Sequence, residues 1–244
     1  MGWRLRTGYK FYKNTRRISS GTHYKEHLAM ALKIIEAHLN GVPGDIVECG
    51  CWKGSSSSNL SIIAKQLGRK LIIYDSFAGL PEMETADREA DKYIQGEYKG
   101  LEKEVKNNIS KYGVIDVCEF RKGWFKDTLP NHTGKIALVF IDVDLEPSLN
   151  DCVKHLWPHL SPGAYLFTDE CMFLNYVALF FSESWWKKHF NTTPPGLYGT
   201  GLGIPLLNLY VGPHELRSDY YNHRSKGVAY TFKGSEAIWN KAYE

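Results

Sequence analysis

Gly44-Asp45-Ile46-Val47-Glu48-Cys49-Gly50-Cys51-Trp52-Lys53-Gly54, followed by the serines Ser55, Ser56, Ser57 and Ser58, is the stretch that decides the fold. It reads as a short apolar strand ending in an acid, then a glycine-punctuated turn, then the start of a helix. Glu48, Gly50 and Gly54 give the spacing E-x-G-x-x-x-G. Glycines at such a turn let the backbone pass close to a ligand with no side chain in the way. An acid at the end of a strand stands where open α/β sheets bind ligands, at the carboxyl edge. The stretch therefore predicts a cradle for a nucleotide-type cofactor.

Working outward, Leu28, Ala31, Leu32, Ile35 and Leu39 recur at helical spacing over residues 23–39, and Gly41, Pro43 and Gly44 end that helix. Residues 60–67 read as a helix ended by Gly68. Leu71-Ile72-Ile73-Tyr74-Asp75 is a buried strand that again finishes on an acid. The acid-rich residues 82–100 are too long and polar for a simple connection and read as a lid. A helix is expected over 101–112, a third strand over 114–120, and a turn with a short helix over 123–130. Ile136-Ala137-Leu138-Val139-Phe140-Ile141 is an unbroken apolar run, as in a parallel strand covered on both faces, and it ends in Asp142-Val143-Asp144. Ser148 and Asp151 read as a capping box opening the next helix. A strand over 164–168 ends in Asp169-Glu170, a helical stretch runs to about His189, and 205–211 and 228–232 read as two late strands. The first twenty residues show no clear period.

Strands alternating with helices imply a parallel sheet with right-handed crossovers. The expected fold is α/β: a doubly wound, mostly parallel, seven-stranded Rossmann-like sheet in one domain. Residues 1–40 form an N-terminal arm and helix belonging to that domain, and 41–244 form its body, with a lid at about 82–112. Strand one would lie beside strand four, where the chain order reverses and ligands bind.

The 244 residues are 43% hydrophobic and 23% charged, which suits a globular core. A net charge of +3 is too slight to imply a nucleic-acid partner. Arg4, Arg6, Lys10, Lys13, Arg16 and Arg17 are interleaved with aromatics and read as a solvated arm or a lip over the site. The five cysteines include no C-x-x-C pair, so neither a zinc knuckle nor a disulfide framework is supported, and a reducing cytoplasm suits them. The start lacks the apolar core of a signal peptide. The most apolar later stretch, 164–181, carries Asp169-Glu170 and is no membrane span. A soluble, cytoplasmic protein is expected.

Two sets of acids carry the chemistry. Glu48 and Asp75 flank the glycine turn, and an acid at the second strand end suits a ribose diol, whose two hydroxyls a carboxylate can accept. Asp142, Asp144, Asp169 and Glu170 would repel one another unless a positive charge sits among them, and an oxygen-only donor set suits a hard cation such as Mg²⁺. His214, Arg217 and Arg224 could touch an anionic acceptor. Asp142-Val143-Asp144 also fits the metal-binding D-x-D of a nucleotide-sugar glycosyltransferase, which would leave the glycine turn without a role. A nicotinamide oxidoreductase would want G-x-G-x-x-G, and here Glu48 holds the first of those positions.

The glycine turn resembles motif I of class I S-adenosylmethionine-dependent methyltransferases. Tyr74-Asp75-Ser76-Phe77-Ala78-Gly79-Leu80-Pro81, Lys122-Gly123-Trp124-Phe125-Lys126-Asp127-Thr128-Leu129-Pro130 and Ile141-Asp142-Val143-Asp144-Leu145-Glu146-Pro147-Ser148 resemble the macrocin O-methyltransferase branch, over about residues 47–168. The resemblance implies a Mg²⁺-dependent O-methyltransferase acting on a hydroxyl of a sugar or glycosylated natural product. Catechol-type enzymes, which use a similar metal arrangement on planar diols, are the alternative within the class. By this resemblance Glu48, Gly50 and Asp75 hold the cofactor, and Gly123-Trp124 lies beside its adenine. Cys51, Gly54, Ser55, Ser76 and Asp142 are the further expected cofactor contacts. Asp142, Asp169 and Glu170 match the family's metal positions, with Asp142 the candidate base. The family often has tyrosine where Glu146 stands and aspartate where Glu170 stands. Relatives suggest a homo-oligomer, with the aromatic N-terminus as one contact.

Overall fold

The computed structural model describes residues 2–82, 93–171, 174–198, 204–206, 209–211 and 228–234. Helices α1 (Gly2–Arg17) and α2 (Tyr24–Leu39) precede strand β1 (Asp45–Cys49), α3 (Ser55–Gln66) and β2 (Leu71–Asp75). Then come α4 (Glu102–Tyr112), β3 (Cys118–Lys122), α5 (Phe125–Thr128), β4 (Ile136–Ile141), α6 (Glu146–Leu156) and β5 (Leu160–Thr168). The described remainder is α7 (Leu174–Leu179), α8 (Glu183–Phe190), β6 (Ile204–Leu206), β7 (Leu209–Val211) and β8 (Ala229–Phe232).

Strand β1 lies between β2 and β4, parallel to both, with Cys49 level with Tyr74 on one side and Ile141 on the other. The sheet runs β3-β2-β1-β4-β5-β8, and only β8 is antiparallel to its neighbour. All six residues of β4 are buried because α2 covers one face and α6 the other, which is why that strand reads as continuous apolar sequence. The sequence-based count of seven strands in one sheet becomes six among the described residues. The stretch expected as one strand over 205–211 is instead two short strands, β6 and β7, paired antiparallel with each other outside the main sheet.

Other expectations shift for local reasons. The N-terminus is helical although no period was visible. Its buried positions Thr7, Phe11, Asn14 and Ile18 fall at helical spacing, but two of them are polar and conceal the stripe. Helix α2 opens one residue late on a capping box, with the His23 N–H donating to Glu26 Oε2 at 2.7 Å. The serines 55–58 belong inside α3, which begins directly after Gly54. The third strand starts at Cys118, after a short 3₁₀ turn over Ile115–Val117. Helix α6 starts at Glu146 with Pro147 in its first turn, so Ser148 and Asp151 lie within the helix and do not cap it. Of the expected lid, 83–92 lies outside the described residues. Its far part contains α4, which packs on α3 through buried Val105 and Ile109.

Candidate active site

The hydrogen bonds that close the sheet also build the site. The Gly50 N–H donates to the Tyr74 carbonyl at 3.0 Å, Asp142 N–H to Cys49 at 2.9 Å, Asp169 N–H to Ile141 at 2.9 Å, and Gly123 N–H to Asp75 at 3.0 Å. Each strand thus hands its last residue to the neighbour's end, and the four junctions fall along one edge. Gly50 is required there. Its φ is +81°, and a Cβ would lie 1.8 Å from the Asp142 carbonyl oxygen, so β1 and β4 can meet only without a side chain.

A cavity of about 560 Å³ opens over this edge. Of the residues expected to contact a cofactor, Gly50, Cys51, Ser55, Asp75, Ser76, Gly123, Trp124 and Asp142 line it. Glu48 and Gly54 do not. Glu48 is fully buried beneath the floor, its Oε2 accepting from Ser57 Oγ at 2.5 Å, so any part in ligand binding is indirect. Burial raises its pKa to about 8, and nearby Asp142 and Asp75 push the same way against hydrogen bonds from Ser56 and Ser57. Gly54 caps α3 in the left-handed conformation and packs on Val105.

Asp75 is fixed by its own turn: Oδ2 accepts from the Cys51 N–H at 2.8 Å and Oδ1 from the Phe77 N–H at 2.7 Å. Its second lone pairs remain available to a ligand. At the α3 N-terminus no side chain caps the helix, and the buried Ser55 Oγ has no hydrogen-bond partner among the described residues. These unmet groups, on the wall beside Asp75, suit a carboxylate or another anionic ligand group. Cys51 is no nucleophile, since burial, then Asp75 and Glu48, push its thiol well above its ordinary range.

Asp169 and Glu170 stay below the cavity, each 5% exposed. Glu170 Oε1 accepts from the Val143 and Asp144 N–H groups at 2.8 and 2.7 Å, while the Tyr176 hydroxyl donates to the Asp144 carbonyl at 2.8 Å. Glu170 and Tyr176 thereby clamp Asp144 in a left-handed conformation (φ 63°), a strained geometry of the kind that collects at functional sites. Burial raises the Glu170 pKa to about 8, with Asp144 and Asp142 adding to it. The oxygen donors suit a hard cation, and the mutual repulsion of these carboxylates is charge such an ion would relieve. No group of three His, Cys, Asp or Glu side chains among the described residues is set out as a formed metal shell, however.

Several walls carried no sequence signal. The turn between α1 and α2 contributes Ser19, Ser20, Gly21 and Thr22, and beyond the second strand Tyr98 packs edge-on against Trp52 at 5.5 Å. Ser148 and Asp151 face the cavity from α6. His214, Arg217 and Arg224 lie outside the described residues.

The sheet order and the cavity over the strand reversal place the chain among Rossmann-like folds that bind a nucleotide-type ligand at the carboxyl edge. The same fold is seen in the O-methyltransferase NovP (TM-score 0.66, 23% identity, 87% of this chain and 81% of that one). It recurs in the calicheamicin methyltransferase CalS11 (TM-score 0.59, 17% identity, 86% and 79%). The family model described as Macrocin-O-methyltransferase (TylF) matches residues 20–194, and the chain belongs to that family.

A Streptomyces olivaceus protein, 8-demethyl-8-(2,3-dimethoxy-alpha-L-rhamnosyl)-tetracenomycin-C 4'-O-methyltransferase, is 37% identical over 141 residues, 54% of each chain. Mycinamicin III 3''-O-methyltransferase of Micromonospora griseorubida is 32% identical over 143 residues, 54% of this chain and 56% of its own. The chain spans about half the length of the curated relatives it matches. The glycosyltransferase alternative falls with the family match, which covers Asp142-Val143-Asp144 along with the glycine turn. Among the described residues no helix is long and apolar enough to cross a membrane.

Proposed function

We infer that this chain is an S-adenosylmethionine-dependent O-methyltransferase acting on a hydroxyl of a sugar or glycosylated natural product. One observation carries the reading: a single cavity brings the Gly50 turn and Asp75 together with Asp142. The family match and the rhamnosyl group in the name of the Streptomyces olivaceus relative's acceptor support it.

In this reading Asp75 accepts from the ribose hydroxyls, Trp124 packs beside the adenine, and Ser55 with the α3 N-terminus faces the methionine carboxylate. The buried Glu48 supports that wall from below. When bound, S-adenosylmethionine supplies a sulfonium methyl group for in-line attack by an oxygen nucleophile. Asp142 takes the proton of the acceptor hydroxyl onto its carboxylate, and the walls exclude water and fix the approach. A divalent cation such as Mg²⁺ at Asp142, Asp169 and Glu170 would lower the pKa of that hydroxyl. The proposal includes a reducing cytoplasmic setting, in keeping with five free cysteines, and self-association through the exposed aromatic face of α1.

Transfer of labelled methyl from S-adenosylmethionine to a panel of glycosides and catechols tests the proposal. Glycosides are expected to accept. Asp142→Asn should lower kcat by roughly 10²–10⁴-fold while leaving cofactor affinity within about threefold. Methylation of catechols alone would overturn the acceptor class, and full turnover in EDTA would remove the metal.

A further inference from the structure

One buried polar chain lies outside the proposed chemistry yet ends at the cavity wall. Asn14 on α1 donates through Nδ2 to the Tyr112 carbonyl at 3.1 Å and to Asn59 Oδ1 at 2.8 Å. Asn59 Nδ2 on α3 meets His27 Nδ1 at 2.8 Å, and His27 Nε2 meets Thr22 Oγ1 at 2.7 Å. All four side chains are buried.

The proton positions follow from the partners. A backbone carbonyl only accepts, so the Asn14 group facing Tyr112 is the NH₂. The Asn59 group facing Asn14 is then its oxygen, and the one facing His27 its NH₂. His27 Nδ1 therefore accepts, and the proton of the neutral ring sits on Nε2 and is donated to Thr22. Full burial, and secondarily His23, hold His27 neutral by lowering its pKa to about 3. With Oγ1 already accepting, the Thr22 hydroxyl hydrogen must point elsewhere. Among the described residues the hydroxyl has no other partner, and Thr22 lines the cavity. Its neighbour Gly21 is opposite Asp142, with a notional Cβ 3.9 Å from Oδ2, so the missing side chain leaves room there.

We propose that the Thr22 hydroxyl donates a hydrogen bond to an acceptor oxygen adjacent to the hydroxyl that Asp142 deprotonates, with His27 as the positioning residue that aims it. The inference deepens the reading above and rests on it. It defines the acceptor as a molecule with two neighbouring oxygens, one giving a proton to Asp142 and one receiving a hydrogen bond from Thr22, as a pyranoside presents. The Ser20 hydroxyl on the same turn donates to the Thr22 carbonyl at 2.7 Å.

Two measurements test it. The first needs no acceptor: nitrogen-15 NMR of the histidine-labelled full chain should show His27 as the Nε2–H tautomer, and an Nδ1–H tautomer or an imidazolium at neutral pH overturns the inference. The second uses methyl α-L-rhamnopyranoside with S-adenosylmethionine. Thr22→Val should lower kcat/KM about tenfold, mostly through KM because the contacted oxygen does not react. Thr22→Ser should return to within about threefold, and cofactor affinity should hold in both. His27→Gln should raise KM similarly, with no further loss in the double variant, the mark of residues acting as one unit. An unchanged kcat/KM in Thr22→Val, or a parallel loss of cofactor affinity, overturns the inference. Wild-type inactivity on the glycoside together with the Nε2–H tautomer overturns the acceptor reading, and with it the assignment of Thr22 to that acceptor.

Discussion

Glu48 and Glu170 are both buried carboxyls with pKa values raised to about 8, but they hold different things. Glu170 spends an oxygen on two backbone N–H groups and shapes the turn after β4. Glu48 accepts from Ser57 through one oxygen, while Oε1 finds no partner among the described residues. Glu48 therefore carries a proton at neutral pH in the folded chain and none in the unfolded chain. Between its ordinary pKa of 4.5 and the folded value of about 8 the native state binds the extra proton. Stability from this group is thus complete below the lower value and lost as pH rises toward the upper one. Glu48→Gln is neutral throughout, so its urea midpoint should gain on the wild type from about pH 5 to about pH 8. A difference independent of pH would contradict the buried, protonated state.

At the scale of elements, α1 packs into the core and, through Asn14, joins the polar chain that reaches Thr22 in the turn lining the cavity. Phe11 is fully buried in the core, whereas Tyr9 is 58% exposed on the opposite face. Phe11→Ala should cost about 3 kcal/mol in urea unfolding, and Tyr9→Ala no more than about 0.5 kcal/mol. Equal, small effects would mean that α1 does not dock as described. Strands β1, β2, β4 and β5 were legible in the sequence because each carries a buried apolar run that meets an acid at its end (Glu48, Asp75, Asp142, Asp169), whereas the edge strands β3 and β8 lack that pattern. Helix α1 was not, because Thr7 and Asn14 occupy its buried stripe and Asn14 bonds across to α3 and α4. Ser148 and Asp151 looked like a cap because capping residues and cavity-lining residues share the same small polar chemistry. Eight of the residues expected at the site line the cavity, and they sit at or just after strand ends in the stretches that carried the family resemblance. The walls supplied by residues 19–22 and by Tyr98 depend on packing between distant segments, which no local pattern encodes.

Across the whole molecule, the proposed function rests on one junction. Parallel strands β1 and β4 meet at Gly50 and Asp142, and the space above their ends is bounded by α3, Asp75 and the turn from the N-terminal arm. Under the proposed reading, that geometry puts the wall for the methyl donor and a candidate base in the same enclosure, which is what a group transfer needs. Titration calorimetry of the full chain with S-adenosylmethionine tests this most directly. The account predicts one site per chain, affinity weakened at least about tenfold by Asp75→Ala through lost ribose contacts, and no heat from nucleotide sugars or NAD. Binding of a nucleotide sugar in place of S-adenosylmethionine, or cofactor affinity indifferent to Asp75→Ala, would contradict it.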